Sequence, residues 1–300
     1  MNVAFSTDSN YIIPATVAIT SFLENNKGED ISLYLLHIEG GLNHDDLCSI
    51  EELTREYSVV FHSVCVKKEE LSFMPKLRHG LSSYLRVLLP KLLSDVDVIL
   101  YLDVDIVVVN NISELFNINL DNVQVAAVPD LKPVVVPEFL SKIGFNRKGR
   151  YFCAGVLLMN LEELRKIDLM ESSKMYLERY GDKIEHSDQD ILNVVCTKVV
   201  ELHPKYNWVS GYLYLNYSTK LWQKEELDEA SYNCCIIHYL GVSKPWHYTN
   251  IHPKKYIWYI YLNKTKYLNF KPKKTLSGFF FLLYLQFRKL LWAIKRRVIL

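Results

Sequence analysis

Little in this chain of 300 residues marks a secreted or disordered protein. The six cysteines (Cys48, Cys65, Cys153, Cys196, Cys234 and Cys235) form no Cys-x-x-Cys pair and show no regular spacing. That argues against a disulfide framework. Glycine and proline are scarce, at 11 and 10 residues, which excludes a low-complexity chain. The opening MNVAFSTDSN has no basic stretch and no long apolar run, so it does not read as a signal peptide. A cytosolic chain with reduced thiols is expected. Acidic residues are missing altogether after Glu229, while residues 230–300 hold 13 Lys and Arg. The first 229 residues therefore carry 22 of the 35 basic residues against all 34 acidic ones, a balance of −12. An acidic body with a basic tail implies an anionic partner.

What is present describes a globular chain with a substantial core: 49% hydrophobic and 23% charged residues. The length suits one large α/β domain, or one domain with an appendage. NVAFS reads as a strand, followed by the helix-capping residue types TDSN. YIIPATVAITSFLENN has a broad apolar helical face, with Pro14 near its start, where proline is tolerated. ISLYLLHIE is a strand, LNHDDLCSIEELTREY a helix, VVFHSV a strand and SSYLRVLLPKLL a helix. Strand–helix units on short loops indicate an α/β sandwich around a largely parallel sheet.

The next run, VILYLDVDIVVV, carries Asp103 and Asp105 inside apolar sequence. An isolated carboxylate there is costly, so buried charges are paired or bind a cation. Val98–Leu102 fits a central strand covered on both faces, which places the aspartates at its C-terminal end. In extended backbone, residues two apart point to one side. Ligands of open α/β sheets bind outside the carboxyl ends of strands. Asp103 and Asp105 are thus candidate metal ligands, and hard oxygen donors select Mg²⁺ or Mn²⁺. Asp95 and Asp97 have the same spacing but precede the strand, on the wrong edge, and read as a solvated loop.

Two enzyme classes place Asp-x-Asp after an apolar strand. Haloacid-dehalogenase-like phosphatases use DxDx(T/V), which Asp103–Val107 matches, but they carry it on the first strand. Here about a hundred residues of α/β pattern precede it, and no convincing downstream acidic cluster with an intervening lysine follows. GT-A glycosyltransferases bridge such carboxylates to a diphosphate through a metal, and further stretches fit them. SDQD (residues 187–190) precedes the helical start ILNVVC, where acidic residues also serve as ordinary helix caps. HYLGVSKPW (residues 238–246) combines an imidazole, a glycine and a lysine suited to phosphate.

Together AFSTDSNY, SSYLR, LYLDVDIVV, YFCAGVLLMNL, SDQDILN and HYLGVSKPW, in that order, resemble glycosyltransferase family 8 over about residues 1–250. This is a retaining family that includes bacterial lipopolysaccharide galactosyltransferases, glucosyltransferases and glycogenin. The resemblance implies a GT-A fold, with a mixed, mostly parallel central sheet flanked by helices. It implies that Asp103, Asp105 and His238 ligate Mn²⁺ or Mg²⁺. Asp8 and Asn10 would meet the uracil and ribose of a UDP-sugar, and Arg86 its diphosphate and sugar. Gly241 and Lys244 would hold the pyrophosphate, with Val104, Cys153 and Ala154 in the same donor-binding set. Asp188 would bind sugar hydroxyls, Gln189 would lie near the anomeric carbon, and Asp130 and Asp190 would shape the acceptor side. Cys153 is a departure, because the family commonly has asparagine there. A thiol is a weak hydrogen-bonding group, and a small buried hydrophobe is the competing reading of Cys153.

The C-terminal GFFFLLYLQFRKLLWAIKRRVIL has an apolar run of nine residues before Arg288, short of the ~20 a membrane span needs. Arg288 and Lys289 recur seven residues on as Lys295 and Arg296, on one helical face. An interfacial helix is expected, with KPKK (residues 271–274) drawn to anionic lipid. The division expected is a catalytic domain over 1–250 and a membrane-associating tail over 251–300. The function expected is metal-dependent, retaining transfer of galactose or glucose from its UDP derivative. The acceptor would be a lipopolysaccharide-type or other surface glycan at the cytoplasmic face of a bacterial membrane, with no nucleic acid involved. A non-catalytic UDP-sugar-binding or scaffold protein is the alternative.

Overall fold

The computed structural model describes residues 1–75, 80–281, 283 and 284. Among them, seven strands form the main sheet: β1 (Asn2–Ser6), β2 (Ser32–Ile38), β3 (Val60–Val66), β4 (Val98–Leu102), β6 (Val125–Pro129), β7 (Phe152–Asn160) and β8 (Val199–Glu201). Their order is β3-β2-β1-β4-β7-β6-β8. Only β7 runs against its neighbours, so the sheet is mostly parallel. The apolar run expected to form a central strand is β4, in the middle of that order and wholly buried from Ile99 to Leu102. Helices α1 (Ile12–Asn25), α2 (His44–Glu56) and α3 (Leu85–Leu92) fall where the apolar periodicity places them. The Asn43 side chain caps α2 by accepting from the Asp46 N–H at 2.8 Å.

Alternate residues of β4 serve two cores. Leu100 and Leu102 join α1 on one face of the sheet, while Ile99 and Tyr101 join α3 and the Leu169–Tyr180 helix on the other. The chain lays β1, β2 and β3 outward in one direction, then returns to place β4 on the far side of β1. That reversal opens a crevice at the carboxyl ends of β1 and β4.

A second, three-stranded sheet has the order β5-β10-β9, from β5 (Ile106–Val108), β9 (Trp208–Val209) and β10 (Ile236–His238). Because β5 follows β4 after three residues, this small sheet stands at the mouth of the crevice. Asp103 and Asp105 are consequently not in extended strand: Val104 and Asp105 form a turn between β4 and β5. The convergence of the two carboxylates expected from strand alternation is produced instead by this turn.

The helix Lys255–Leu262, which the sequence assigns to the tail, carries the body's packing past residue 250. Trp258 and Leu262 are fully buried in the core shared with α1, and the Asn25 side chain donates to the Tyr261 hydroxyl at 2.6 Å. Trp258 also meets Phe270, with ring centroids 6.2 Å apart. Arg288, Lys289, Lys295 and Arg296, which define the expected interfacial face, lie outside the described residues.

Candidate active site

Four strand ends deliver the site. Asp8 follows β1, Asp103 follows β4, and Asp130 follows β6. Cys153 and Ala154 open β7, whose antiparallel course puts its start at the same edge. The Asp103 N–H donates to the Gly155 carbonyl at 2.9 Å, which joins two of these ends directly. The small sheet brings the rest. His238, the last residue of β10, pairs with Ile106 of β5, and the Tyr239 N–H donates to the Asp105 carbonyl at 2.9 Å.

The result is a cluster of Asp103, Asp105 and His238 whose candidate ligand atoms all lie within 4.8 Å of one another. His238 Nε2 is 3.1 Å from Asp105 Oδ1 and 4.0 Å from Asp103 Oδ2. It is buried and makes no hydrogen bond of acceptable geometry. Two carboxylates and a buried imidazole nitrogen facing them fit a hard or borderline divalent cation. His238 Nδ1, on the other side of the ring, sits 2.9 Å from Asn207 Oδ1 and 3.9 Å from Cys153 Sγ. Cys153 thus lies beside the wrong nitrogen to join the ligand set.

Protein cations balance the carboxylates. Lys244 Nζ donates to Asp105 Oδ2 and, at 2.9 Å, to the Tyr239 carbonyl. Burial alone would raise Asp105, but Lys244 and His238 hold it well below the usual carboxylate range. Burial likewise disfavours charge on His238, yet Asp105 outweighs it and lifts the imidazole to about 10. Arg86, 3% exposed, contacts protein through every nitrogen. Its Nη2 meets Asp103 Oδ1 at 2.6 Å, its Nε meets Asp188 Oδ2 at 3.0 Å, and its Nη1 donates to the Ala154 carbonyl. Its Cζ lies 4.1 Å from the centre of the Tyr101 ring. Arg86 is therefore a buried clamp that couples Asp103 to Asp188. Burial pushes Asp188 up to about 6 against the opposing pull of Arg86.

SDQD forms the first turn of the helix Ser187–Val195, entered through a left-handed Ser187 at φ 49°. Neither aspartate is the N-cap, which is His186. Asp188 faces Arg86. Gln189 Nε2 donates to Asp130 Oδ2 at 3.1 Å, and its Oε1 accepts from the Ala154 N–H at 2.9 Å. Asp190 is not brought to the site. It is fully buried and accepts from the Tyr151 hydroxyl and from the Glu185 and His186 N–H groups, at 2.5, 2.7 and 2.8 Å. Asp8 accepts from the Asn10 N–H at 2.9 Å and starts the turn Ser9–Tyr11. The Tyr11 ring meets Trp246 edge-on at 6.1 Å, so the first and last motifs touch. Gly241 takes φ +93°, the left-handed region in which glycine is favoured.

A cavity of about 270 Å³ adjoins the cluster. Asp130, Cys153, Asn207, Tyr212, Leu240 and Gly241 are among its lining residues. Two site residues have no place among those expected from sequence. A Cβ on Gly155 would lie 2.2 Å from His238 Cε1 and 2.9 Å from Asp103 Oδ2. The signal for it was a glycine inside an apolar strand, which marks a close approach. Asn207 gives no comparable signal.

The chain matches the family model described as Glycosyl transferase family 8 over residues 2–250. A lipopolysaccharide 1,2-glucosyltransferase of Escherichia coli is 31% identical over 259 residues, 82% of this chain and 73% of that protein. General stress protein A of Bacillus subtilis is 27% identical over 276 residues, 89% of this chain and 94% of that protein. Among solved structures, the galactosyltransferase LgtC in complex with donor and acceptor sugar analogs superposes with a TM-score of 0.79 at 25% identity. That match covers 89% of this chain and 96% of LgtC.

Proposed function

The chain belongs to glycosyl transferase family 8, and from that premise we propose that it is a metal-dependent hexosyltransferase moving glucose or galactose from UDP, with retention, to a surface glycan. The observation that carries this reading is the convergence of His238 Nε2 with the carboxylates of Asp103 and Asp105, all within 4.8 Å of one another, at the crevice between β1 and β4. Relatives that act on lipopolysaccharide, and both glucosyl- and galactosyltransferases among the similar proteins, support the class of acceptor and donor.

Asp103, Asp105 and His238 would hold Mn²⁺ or Mg²⁺, which supplies Lewis-acid stabilisation of the departing diphosphate. Lys244, already at Asp105, is placed to add its charge where a pyrophosphate develops charge. Arg86 keeps Asp103 and Asp188 in register, and Asp188 would bind sugar hydroxyls. Asp130 and the adjoining cavity are suited to the acceptor, and Asp8 and Asn10 to the nucleoside. A double displacement in most retaining glycosidases uses a carboxylate nucleophile. Here Asp188 is paired with Arg86, Asp190 is buried, and Asp130 accepts from Gln189 and from the Lys132 N–H at 2.7 Å. The Gln189 oxygen is occupied by the Ala154 N–H. These engagements support attack from the leaving-group face through a short-lived ion pair.

The test is UDP release from a panel of UDP-sugars, with and without Mn²⁺ and without acceptor. Slow hydrolysis of UDP-glucose or UDP-galactose that EDTA abolishes is the expected result. Release indifferent to EDTA, or failure of every UDP-sugar to bind in calorimetry, would overturn the reading. Cys153 favours a second reading, a UDP-sugar binder without turnover, and donor binding without hydrolysis even when glycan acceptors are supplied would select it.

Membrane association belongs to the same proposal. No helix among the described residues is long and apolar enough to cross a membrane. Leu276, Phe279, Phe280, Phe281, Leu283 and Tyr284 are all exposed, directly after Lys271, Lys273 and Lys274. Apolar side chains beside lysines suit an anionic interface, at about 1 kcal/mol per basic residue near the surface. Deletion of residues 271–300 is expected to move the protein from the membrane pellet to the supernatant. A truncated chain that still sediments with anionic vesicles would refute the anchor.

A further inference from the structure

We infer that Asn207 is the positioning residue that presents His238 to the metal. This rests on the metal-dependent reading of the site above. Asn207 closes the short turn Pro204–Asn207 and leads into β9, which runs parallel to β10 with Val209 opposite His238. That pairing brings a side chain 31 residues away to the back of the imidazole, where Asn207 Oδ1 lies 2.9 Å from Nδ1. Both residues are 1% exposed.

Asn207 Nδ2 is buried without a hydrogen-bond partner, and with Oδ1 as the amide atom turned to the ring, Asn207 accepts and the proton of a neutral His238 is kept on Nδ1. The lone pair is then on Nε2, the nitrogen that faces Asp103 and Asp105. The other group near Nδ1 is the Cys153 thiol, whose 3.9 Å contact and weak hydrogen-bonding capacity do not fix a tautomer. An amide does this work without adding a further negative charge beside two carboxylates. Outer partners of metal-binding histidines orient the ring in this way, and their loss lowers metal affinity by about 10–100-fold.

The experiment is Mn²⁺ binding, read from the electron paramagnetic resonance of the free ion, with and without saturating UDP. Asn207→Leu, close in size but unable to accept, is expected to weaken Mn²⁺ binding about 10–100-fold. Asn207→Asp, which accepts at the same place, is expected to bind Mn²⁺ within a few-fold of wild type or more tightly. In turnover, Asn207→Leu raises the Mn²⁺ concentration for half-activation by a larger factor than it lowers the rate at saturating Mn²⁺, a split that general loss of packing does not produce. Nitrogen-15 spectra of the Mg²⁺-loaded wild type, assigned by the loss of signal in His238→Asn, are expected to show the proton on Nδ1. This last readout stands even where Asn207→Leu does not fold. Wild-type affinity in Asn207→Leu, equal losses in the Leu and Asp variants, or a proton on Nε2 would overturn the inference alone. A wild-type protein with no Mn²⁺ affinity would overturn it together with the functional reading beneath it.

Discussion

Gly155→Ala is expected to cut Mn²⁺-dependent turnover by at least about a hundredfold, the cost of a ~1 Å misplacement at a reacting centre. The cause is steric. The added Cβ would meet His238 Cε1 at 2.2 Å, His238 Nδ1 at 2.8 Å and Asp103 Oδ2 at 2.9 Å. Contacts of 2.2 Å do not exist between carbon atoms, so the imidazole or β7 must move. The ring has little room, since Asn207 holds its Nδ1 and β5 and β9 flank its strand. The strand is fixed through the Gly155 carbonyl to Asp103 and through pairing with β4 and β6. Whichever side yields, the proposed ligand set would open by more than the ~0.5 Å a working site tolerates. Gly155 does not occupy the left-handed region, so alanine adds no backbone strain. The folding cost is that of overpacking, about 1–3 kcal/mol. Mn²⁺ affinity and kcat/KM should fall together while the circular dichroism spectrum stays native. Turnover within tenfold of wild type would show that the close approach of β7 to His238 is not required.

The same glycine shows where reading the sequence stops. VILYL announces a central strand because five consecutive apolar residues need cover on both faces, and Asp103 at its end announces a site. Those inferences use only neighbours in the chain. Gly155 and Asn207 act on His238 from 83 and 31 residues away, and no local pattern encodes a contact made by strand pairing across two sheets. Asp190 illustrates the converse. Its spacing from Asp188 looks like a pair of functional carboxylates, but the two side chains diverge in the first helical turn. One meets Arg86, and the other accepts from the Glu185 and His186 N–H groups of the preceding loop. Arg86 was legible as a site residue from SSYLR, though not as a clamp, because its direction depends on the depth at which α3 sits under β4. Trp258 and Phe270 had the same limitation: their aromatic character suited membrane or core, and only the packing of Lys255–Leu262 on α1 decides for the core.

The two aspartates of the turn should separate when each is replaced. Asp103→Ala and Asp105→Ala are both expected to reduce turnover to background, since each would remove one of the three proposed metal ligands and the charge that electrostatic stabilisation relies on. Their effects on stability should differ. Asp105 is balanced by Lys244, whose flexible stem and 15% exposure let its ammonium turn to water. It is also balanced by His238, which is free to lose its proton once Asp105 is gone. Asp105→Ala should therefore melt within a few degrees of wild type. Asp103 is balanced by Arg86, which is buried and cannot give up its charge. Removing Asp103 leaves that guanidinium with Asp188 as its one remaining carboxylate. Breaking a buried pair costs about 3–5 kcal/mol, and the surviving Asp188 contact argues for the lower end. At ~2–4 °C per kcal/mol for domains of 150–250 residues, a loss of about 3 kcal/mol should drop the melting temperature by roughly 6–12 °C. Equal melting temperatures for the two variants would mean that Arg86 is not anchored by Asp103. A clear difference, with both enzymes inactive, would assign Asp103 two jobs, metal ligand and keystone of the Arg86 clamp, and Asp105 only the first.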